Sequence, residues 1–305
     1  MTRRELLVLL AAAACSRSEK TPAARSASAA AAPRDPAPPA RRCEGAELVT
    51  WDFDGVASRV AILRPKNALT ARFPVLVALH GHGEAIKGPE RGALGWPDDY
   101  ALVRALERVC APPLTSADFE GFVTDAHLAE VNAELAARPW RGLVVVCPYL
   151  PDLDLRKDDV LVDYGKFVAS AILPRVAREM PARAGSASTG IDGVSLGGAV
   201  ALRAGLALPE TFGAVGALQP AIADDQIAGL VELARAARAK RPSLALRVTT
   251  STDDVYRKVV HALDDAWRDA GIAHDFSELP GPHDYPFNRG PGAYEMLLWQ
   301  SRRLS

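Results

Sequence analysis

The stretch Thr189 to Val200, TGIDGVSLGGAV, sets Gly193, Ser195 and Gly197 at alternate positions, with Gly198 directly behind them. A serine hydroxyl becomes a usable nucleophile when a tight turn from strand to helix thrusts it outward, and that turn tolerates only small residues two places to either side. Here a short apolar run leads in and an alanine-rich helical pattern leads out. The amide of Leu196, first in that helix, is then placed to donate to a developing oxyanion. A flexible glycine turn without chemistry is the competing reading of these five residues, which arise by chance in many loops. Asp192 is out of place at the end of a buried strand and must find a hydrogen bond there.

Such a serine needs a base that accepts its proton, and the chain has six histidines. His283 lies in LPGPHDYPF, a Gly/Pro-rich loop following the predicted strand AHDFSEL, where an imidazole can hang over the serine turn. His261 falls within a helical pattern and His274 at a strand start, so both read as structural or solvated. An acid that orients the imidazole should come from the end of the preceding strand, and LRVTTSTDDVYRKV offers Asp253 and Asp254. One of the two orients the base and the other caps the following helix.

These residues require a frame that brings them to one edge. ELVTWDF and ASRVAILRP read as an antiparallel pair turning at Asp54-Gly55. FPVLVALHG and GLVVVCP are continuous apolar runs, the pattern of strands buried on both faces. FGAVGALQP, SLALRVTTST and AHDFSELPG supply further strands. Helical patterns cover Tyr164 to Met180, Leu196 to Leu208, Asp224 to Lys240 and Tyr256 to Ala270. Regular alternation predicts an α/β fold, a mostly parallel sheet with helices on both faces and a ligand site beyond the carboxyl ends of the strands. About sixty residues, roughly 84–142, interrupt the alternation and exceed what a crossover needs. They carry helical patterns at Asp98 to Cys110 and Ser116 to Ala137, and read as a helical insertion, partly a cap over the carboxyl edge and partly structure.

DGVSLGGAVALRAGLALPETFGAVGALQPAI resembles the elbow, helix and following strand of the esterase D-like and feruloyl esterase-like branch of the α/β-hydrolase superfamily. DYGKFVASAILPRVAREM is similar to that branch's preceding helix, and the likeness runs from about Phe73 to Trp299 apart from the insertion. The resemblance implies the α/β-hydrolase fold, ester hydrolysis, a triad in the order Ser195, acid, His283, and no metal or organic cofactor. The branch's Asp-x-x-Tyr pattern favours Asp253 over Asp254, by its distance from Tyr256. LHGHGE closes the strand that family members use for the second oxyanion donor, which places that donor at the amide of Gly81 or His82. His80 reads as structural there. Trp96, Phe119, Tyr149 and Tyr285 are candidates to line the substrate pocket.

The bulk composition sets limits. In 305 residues, 36 basic and 37 acidic side chains leave a formal charge of -1, so no excess charge draws the chain to nucleic acid. Residues 1–15 read as an export segment: Thr2-Arg3-Arg4, an apolar run from Leu6 to Ala14, then Cys15 directly after alanines, which resembles a bacterial lipoprotein box. TRRELL also resembles a twin-arginine signal, and a cleaved secretory peptide or a wrong start site is the alternative. Residues 16–42, rich in Ala, Pro, Ser and Arg, cannot bury enough apolar surface to fold and read as a tether to a single domain from 43 to 305. With Cys15 acylated, Cys43, Cys110 and Cys147 allow one bridge and one free thiol. The partners expected are a small-molecule or carbohydrate-linked ester and, through the anchor alone, a membrane.

Three rival readings share the residues. A peptidase or acyltransferase would use the same triad. A metal site would draw on His80, His82, His283, Asp284 or Glu84, and would leave the glycine-spaced serine without a purpose. A binding lipoprotein would keep the fold without the chemistry.

Overall fold

A computed structural model of the chain describes residues 45–66 and 71–304. One sheet of eight strands organises them: β1 Ala46–Asp52, β2 Arg59–Pro65, β3 Val75–Leu79, β4 Val144–Pro148, β5 Thr189–Gly193, β6 Ala214–Leu218, β7 Ala245–Asp253 and β8 Asp275–Pro282. Their spatial order is β1-β2-β4-β3-β5-β6-β7-β8. The pairs β1/β2 and β2/β4 are antiparallel and all others parallel. Every residue of β3, β4, β5 and β6 is buried, as the unbroken small and apolar sequences of β3, β4 and β6 require, whereas the edge strand β1 exposes Glu47, Leu48, Thr50 and Asp52.

Strand order reverses at β3, which has β4 on one side and β5 on the other. In open sheets such a reversal opens a crevice at the carboxyl ends of the strands. The loop after β3 and the turn after β5 therefore meet there, although more than a hundred residues separate them in the chain.

Two helical layers close the sheet. On one face lie Leu196–Ala207, Ile227–Lys240, Arg257–Asp269 and a helix running from Asp158 through Glu179. This last helix starts six residues ahead of the expected Tyr164, because Asp158 and Asp159 suit the positive end of its dipole. It widens to a π turn at Val168–Ile172, just before Pro174, which has no N–H to continue the regular ladder.

The other face is covered by Leu102–Val109 and Asp125–Ala137 of the 84–142 segment, together with Ala293–Arg303. The single helix expected from Ser116 to Ala137 is broken in two. Glu120 (φ 52°) and Gly121 (φ 82°) adopt left-handed conformations that end a 3-10 turn, and Thr124 caps the next helix by accepting from the His127 amide. Ala293–Arg303, whose residues from Ala293 to Gln300 are all buried, has no counterpart in the sequence reading. Its start is masked by Gly290, Pro291 and Gly292, residues that signal a loop.

Candidate active site

At the end of β5 the chain turns into Leu196–Ala207 through Ser195, whose φ of 56° and ψ of -116° lie outside the regions open to most L-residues. The turn is clamped: the Ser195 amide donates to Leu218 O at 3.0 Å, and Ser195 O accepts from the amides of Ala199 and Ala221. A Cβ on Gly197 would sit 2.4 Å from Leu79 O and 2.6 Å from His80 O, and one on Gly193 would meet Gly197 at 2.5 Å. These contacts are with backbone, which cannot rotate aside. Sterics thus account for the glycine spacing, as the sequence pattern implied. The amide of Leu196, at the helix start, has no intrahelical acceptor.

Asp192 is fully buried and does find partners. It accepts from the Gly193 amide at 2.9 Å, Arg247 Nη2 at 2.9 Å and Gln300 Nε2 at 3.0 Å. Burial raises its carboxyl above the usual range, against the pull of the Arg247 guanidinium. The network ties β5 to β7 and to the last helix.

His283 follows β8 directly, and its Nδ1 lies 2.8 Å from Asp254 Oδ1. The aspartate in contact with the histidine is Asp254, not the expected Asp253. Asp253 is the last residue of β7 and is exposed, with its carboxylate accepting from the Thr252 hydroxyl. The ladder between β7 and β8 slips at Ser251/Asp253, and the turn that follows carries the Asp254 side chain inward. There Asp254 also accepts from Thr250 Oγ1 at 2.8 Å and from the Tyr256 amide at 3.0 Å. A carboxylate that accepts from imidazole Nδ1 leaves Nε2 as the nitrogen able to take a proton. The Tyr256 ring packs edge-on against the imidazole, centroids 5.5 Å apart.

Gln219, which the sequence reading did not single out, holds this loop. At φ 45° after β6, its Nε2 donates to Ser251 Oγ at 2.6 Å and to Pro282 O at 3.0 Å, one residue before His283. A polar residue closing the apolar run FGAVGAL was the available signal.

The loop after β3 carries His80, Gly81 and His82. His80 is buried with both ring nitrogens engaged: Nδ1 donates to Gly81 O at 2.9 Å, and Nε2 accepts from the Leu150 amide at 2.9 Å. Burial pushes its imidazole down to about 4, so it stays neutral and structural at neutral pH. The Gly81 amide is also occupied, donating to Tyr100 Oη at 3.2 Å. The His82 amide forms no hydrogen bond among the described residues. Beside this loop the buried Glu84 accepts from the hydroxyls of Tyr100 and Tyr285, and from Lys87.

Ser195, His283, Gly81, His82, Tyr100 and Tyr285 line one open pocket of about 310 Å³. No hydrogen bond joins the Ser195 hydroxyl to His283, a contact that in serine nucleophiles is often long until substrate is engaged. Tyr285 is the one pocket aromatic of the four expected. Trp96 and Phe119 are buried in the second core layer, and Tyr149 donates to Ala85 O from behind the His80 ring. His261 pairs with Glu278 and His274 with Asp264, both away from the serine. Since His80 has no free nitrogen, it cannot join His82 in a metal set. Among the described residues no group of three or more His, Cys, Asp or Glu side chains is arranged to hold a metal ion. Cys110 is disulfide-bonded and Cys147 is a free, buried thiol, while Cys15 and Cys43 fall outside the described residues.

Comparison with known proteins places this geometry. Residues 156–286 match the family described as "Putative esterase". A ferulic acid esterase superposes with a TM-score of 0.64 at 18% identity, covering 86% of this chain and 99% of that one. A mutant feruloyl esterase module from Clostridium thermocellum, complexed with sinapinate, gives 0.60 at 13%, covering 89% and 94%. An S-formylglutathione hydrolase from Staphylococcus aureus gives 0.58 at 13%, covering 86% and 98%. No curated protein matches the chain. The fold is that of the α/β-hydrolases. The family match spans Ser195, Asp254 and His283.

Proposed function

We propose that Ser195, His283 and Asp254 form the catalytic triad of a serine esterase that works through an acyl-enzyme. The supporting observation is the 2.8 Å contact between Asp254 and His283 on the pocket that also holds the strained Ser195. As Ser195 Oγ attacks the ester carbonyl carbon, its proton passes to His283 Nε2. Asp254 stabilises the imidazolium that results. The negative charge on the carbonyl oxygen is received by the amides of Leu196 and His82; Gly81 is assigned no such part, because Tyr100 already occupies its N–H. Collapse of the tetrahedral species expels the alcohol, which takes the proton from His283. Water then repeats the sequence on the acyl-serine and frees the acid. No cofactor enters these steps.

The substrate class is a simple acyl ester or a carbohydrate-linked ester of an aromatic acid, since the similar solved structures include feruloyl esterases. For location, we infer export with a lipid on Cys15 and a tether over residues 16–42; both lie outside the described residues, among which no helix is long and apolar enough to cross a membrane.

The test is hydrolysis of nitrophenyl esters from acetate to palmitate, with fluorophosphonate labelling alongside. Wild type should label and cleave short chains, while Ser195→Ala should do neither. Equal rates in wild type, Ser195→Ala and His283→Ala would overturn the assignment.

A further inference from the structure

A cavity larger than the one holding Ser195 lies elsewhere in the molecule. A cleft of about 470 Å³ lies at the amino ends of β3 and β4, bounded by Phe73, Pro74 and Leu143, on the sheet edge opposite the serine. Five guanidiniums line it, those of Arg72, Arg138, Arg141, Arg183 and Arg302, against the single carboxylate of Glu134. In a chain of net charge -1 this is a strong local excess of one sign. Glu134 pairs with Arg138 and Arg302, which leaves Arg72, Arg141 and Arg183 without a carboxylate partner among the described residues. Two of these are held in place by backbone, Arg72 donating to Ala182 O and Arg183 to Arg72 O, each at 3.0 Å. Guanidiniums fixed in this way have less freedom to lose on meeting a phosphate, for which their donor geometry is suited.

The described domain begins beside this cleft. Gly45 shares a crevice with Trp140, Gly142 and Leu143, three residues that also line the arginine cleft. Gly45, the first described residue, thus lies at the arginine edge. The preceding residues 16–42 carry six basic side chains against two acidic ones.

The geometry points to a binding face for anionic phospholipid headgroups, with Arg72, Arg141 and Arg183 contacting the phosphates and Ser195 directed away from the bilayer. The choice of a lipid over a soluble phosphate rests on the Cys15 anchor proposed above. Basic residues close to an anionic surface each add to binding, and salt weakens the attraction.

The test uses the full chain carrying Cys15→Ser, so that no acyl group contributes, sedimented with vesicles of phosphatidylcholine alone or enriched in phosphatidylglycerol. Partition onto the anionic vesicles should exceed that onto the neutral ones and fall as salt is raised. Arg141→Gln/Arg183→Gln should weaken it roughly tenfold to thirtyfold. Arg156→Gln/Arg235→Gln, altering arginines outside the cleft, should leave it unchanged. Nitrophenyl acetate hydrolysis, retained in all variants, reports that they are folded. Equal partition of the Arg141/Arg183 variant and its parent would overturn the proposal, as would equal binding to both lipids. Binding of inorganic phosphate without binding of anionic vesicles would also overturn it, in favour of a soluble anion. Acyl labelling of Cys15 is measured separately, so loss of the anchor reading and loss of the cleft reading are distinct results.

Discussion

The two halves of the candidate triad are held by different physics. Ser195 is fixed by backbone contact: glycines at 193 and 197 stand where any Cβ would strike a carbonyl or a neighbouring strand, and three main-chain hydrogen bonds close the turn. His283 is held by two side chains from strand ends: Asp254 after β7 bonds its ring, and Gln219 after β6 bonds the carbonyl of the adjoining Pro282 of β8. Steric constraint leaves a trace in the spacing of small residues. A network of side-chain bonds leaves almost none, because Asp, Gln and Tyr occur for many reasons.

Substitutions can break this contrast at either end. Asp254→Asn should lower kcat on the order of ten-thousandfold, while Asp253→Asn, at an exposed carboxylate, should change it less than threefold. Comparable losses in the two variants would return the acid to an open question. Gly197→Ala should cost roughly 3 kcal/mol or more of stability, since two carbonyl oxygens stand within 2.6 Å of the added carbon. Its control is Gly229→Ala in Ile227–Lys240, where nothing lies within 4 Å and a gain of about 0.5–1 kcal/mol should appear in thermal melts.

His80 sharpens the comparison through pH. The buried ring titrates near 4, whereas an unfolded histidine titrates near 6.5. Between those values the unfolded chain binds the proton and the folded one does not. Stability should therefore be complete above about pH 6.5 and fall as the pH drops toward 4, by up to roughly 3 kcal/mol. His127, raised by its bond to Glu295, has the opposite sign, and its contribution is lost as the pH rises above 6.5. Denaturant titrations at several pH values should show the acid-side loss in wild type and a reduced slope in His80→Gln. A more modest loss is expected at the imidazole loop: Gln219→Leu should reduce kcat/KM roughly tenfold to hundredfold with little change in melting temperature, since a loosened His283 misses its alignment. An unchanged kcat/KM would show that Asp254 alone suffices to hold the ring.

Legibility followed the same division. Strand positions, the antiparallel start and the glycine-bounded turn at Ser195 were readable, because buried strands need unbroken apolar runs and a strained turn needs glycine. Which aspartate meets His283 was not readable, since the β7/β8 slip at Ser251/Asp253 decides which carboxylate turns inward. Trp96 and Phe119 stand near loops in the sequence, yet pack into the second core layer with Ala293–Arg303, a helix hidden behind glycines and a proline.

By itself, then, the sequence determined the kind of sheet, the glycine-bounded turn at Ser195 and the loop position of His283, through local rules of burial and backbone sterics. Tertiary structure alone decided which aspartate reaches that base, which loop amide stays unoccupied, and that five arginines far apart in the chain share one cleft. Those outcomes depend on distances between segments that no local pattern encodes.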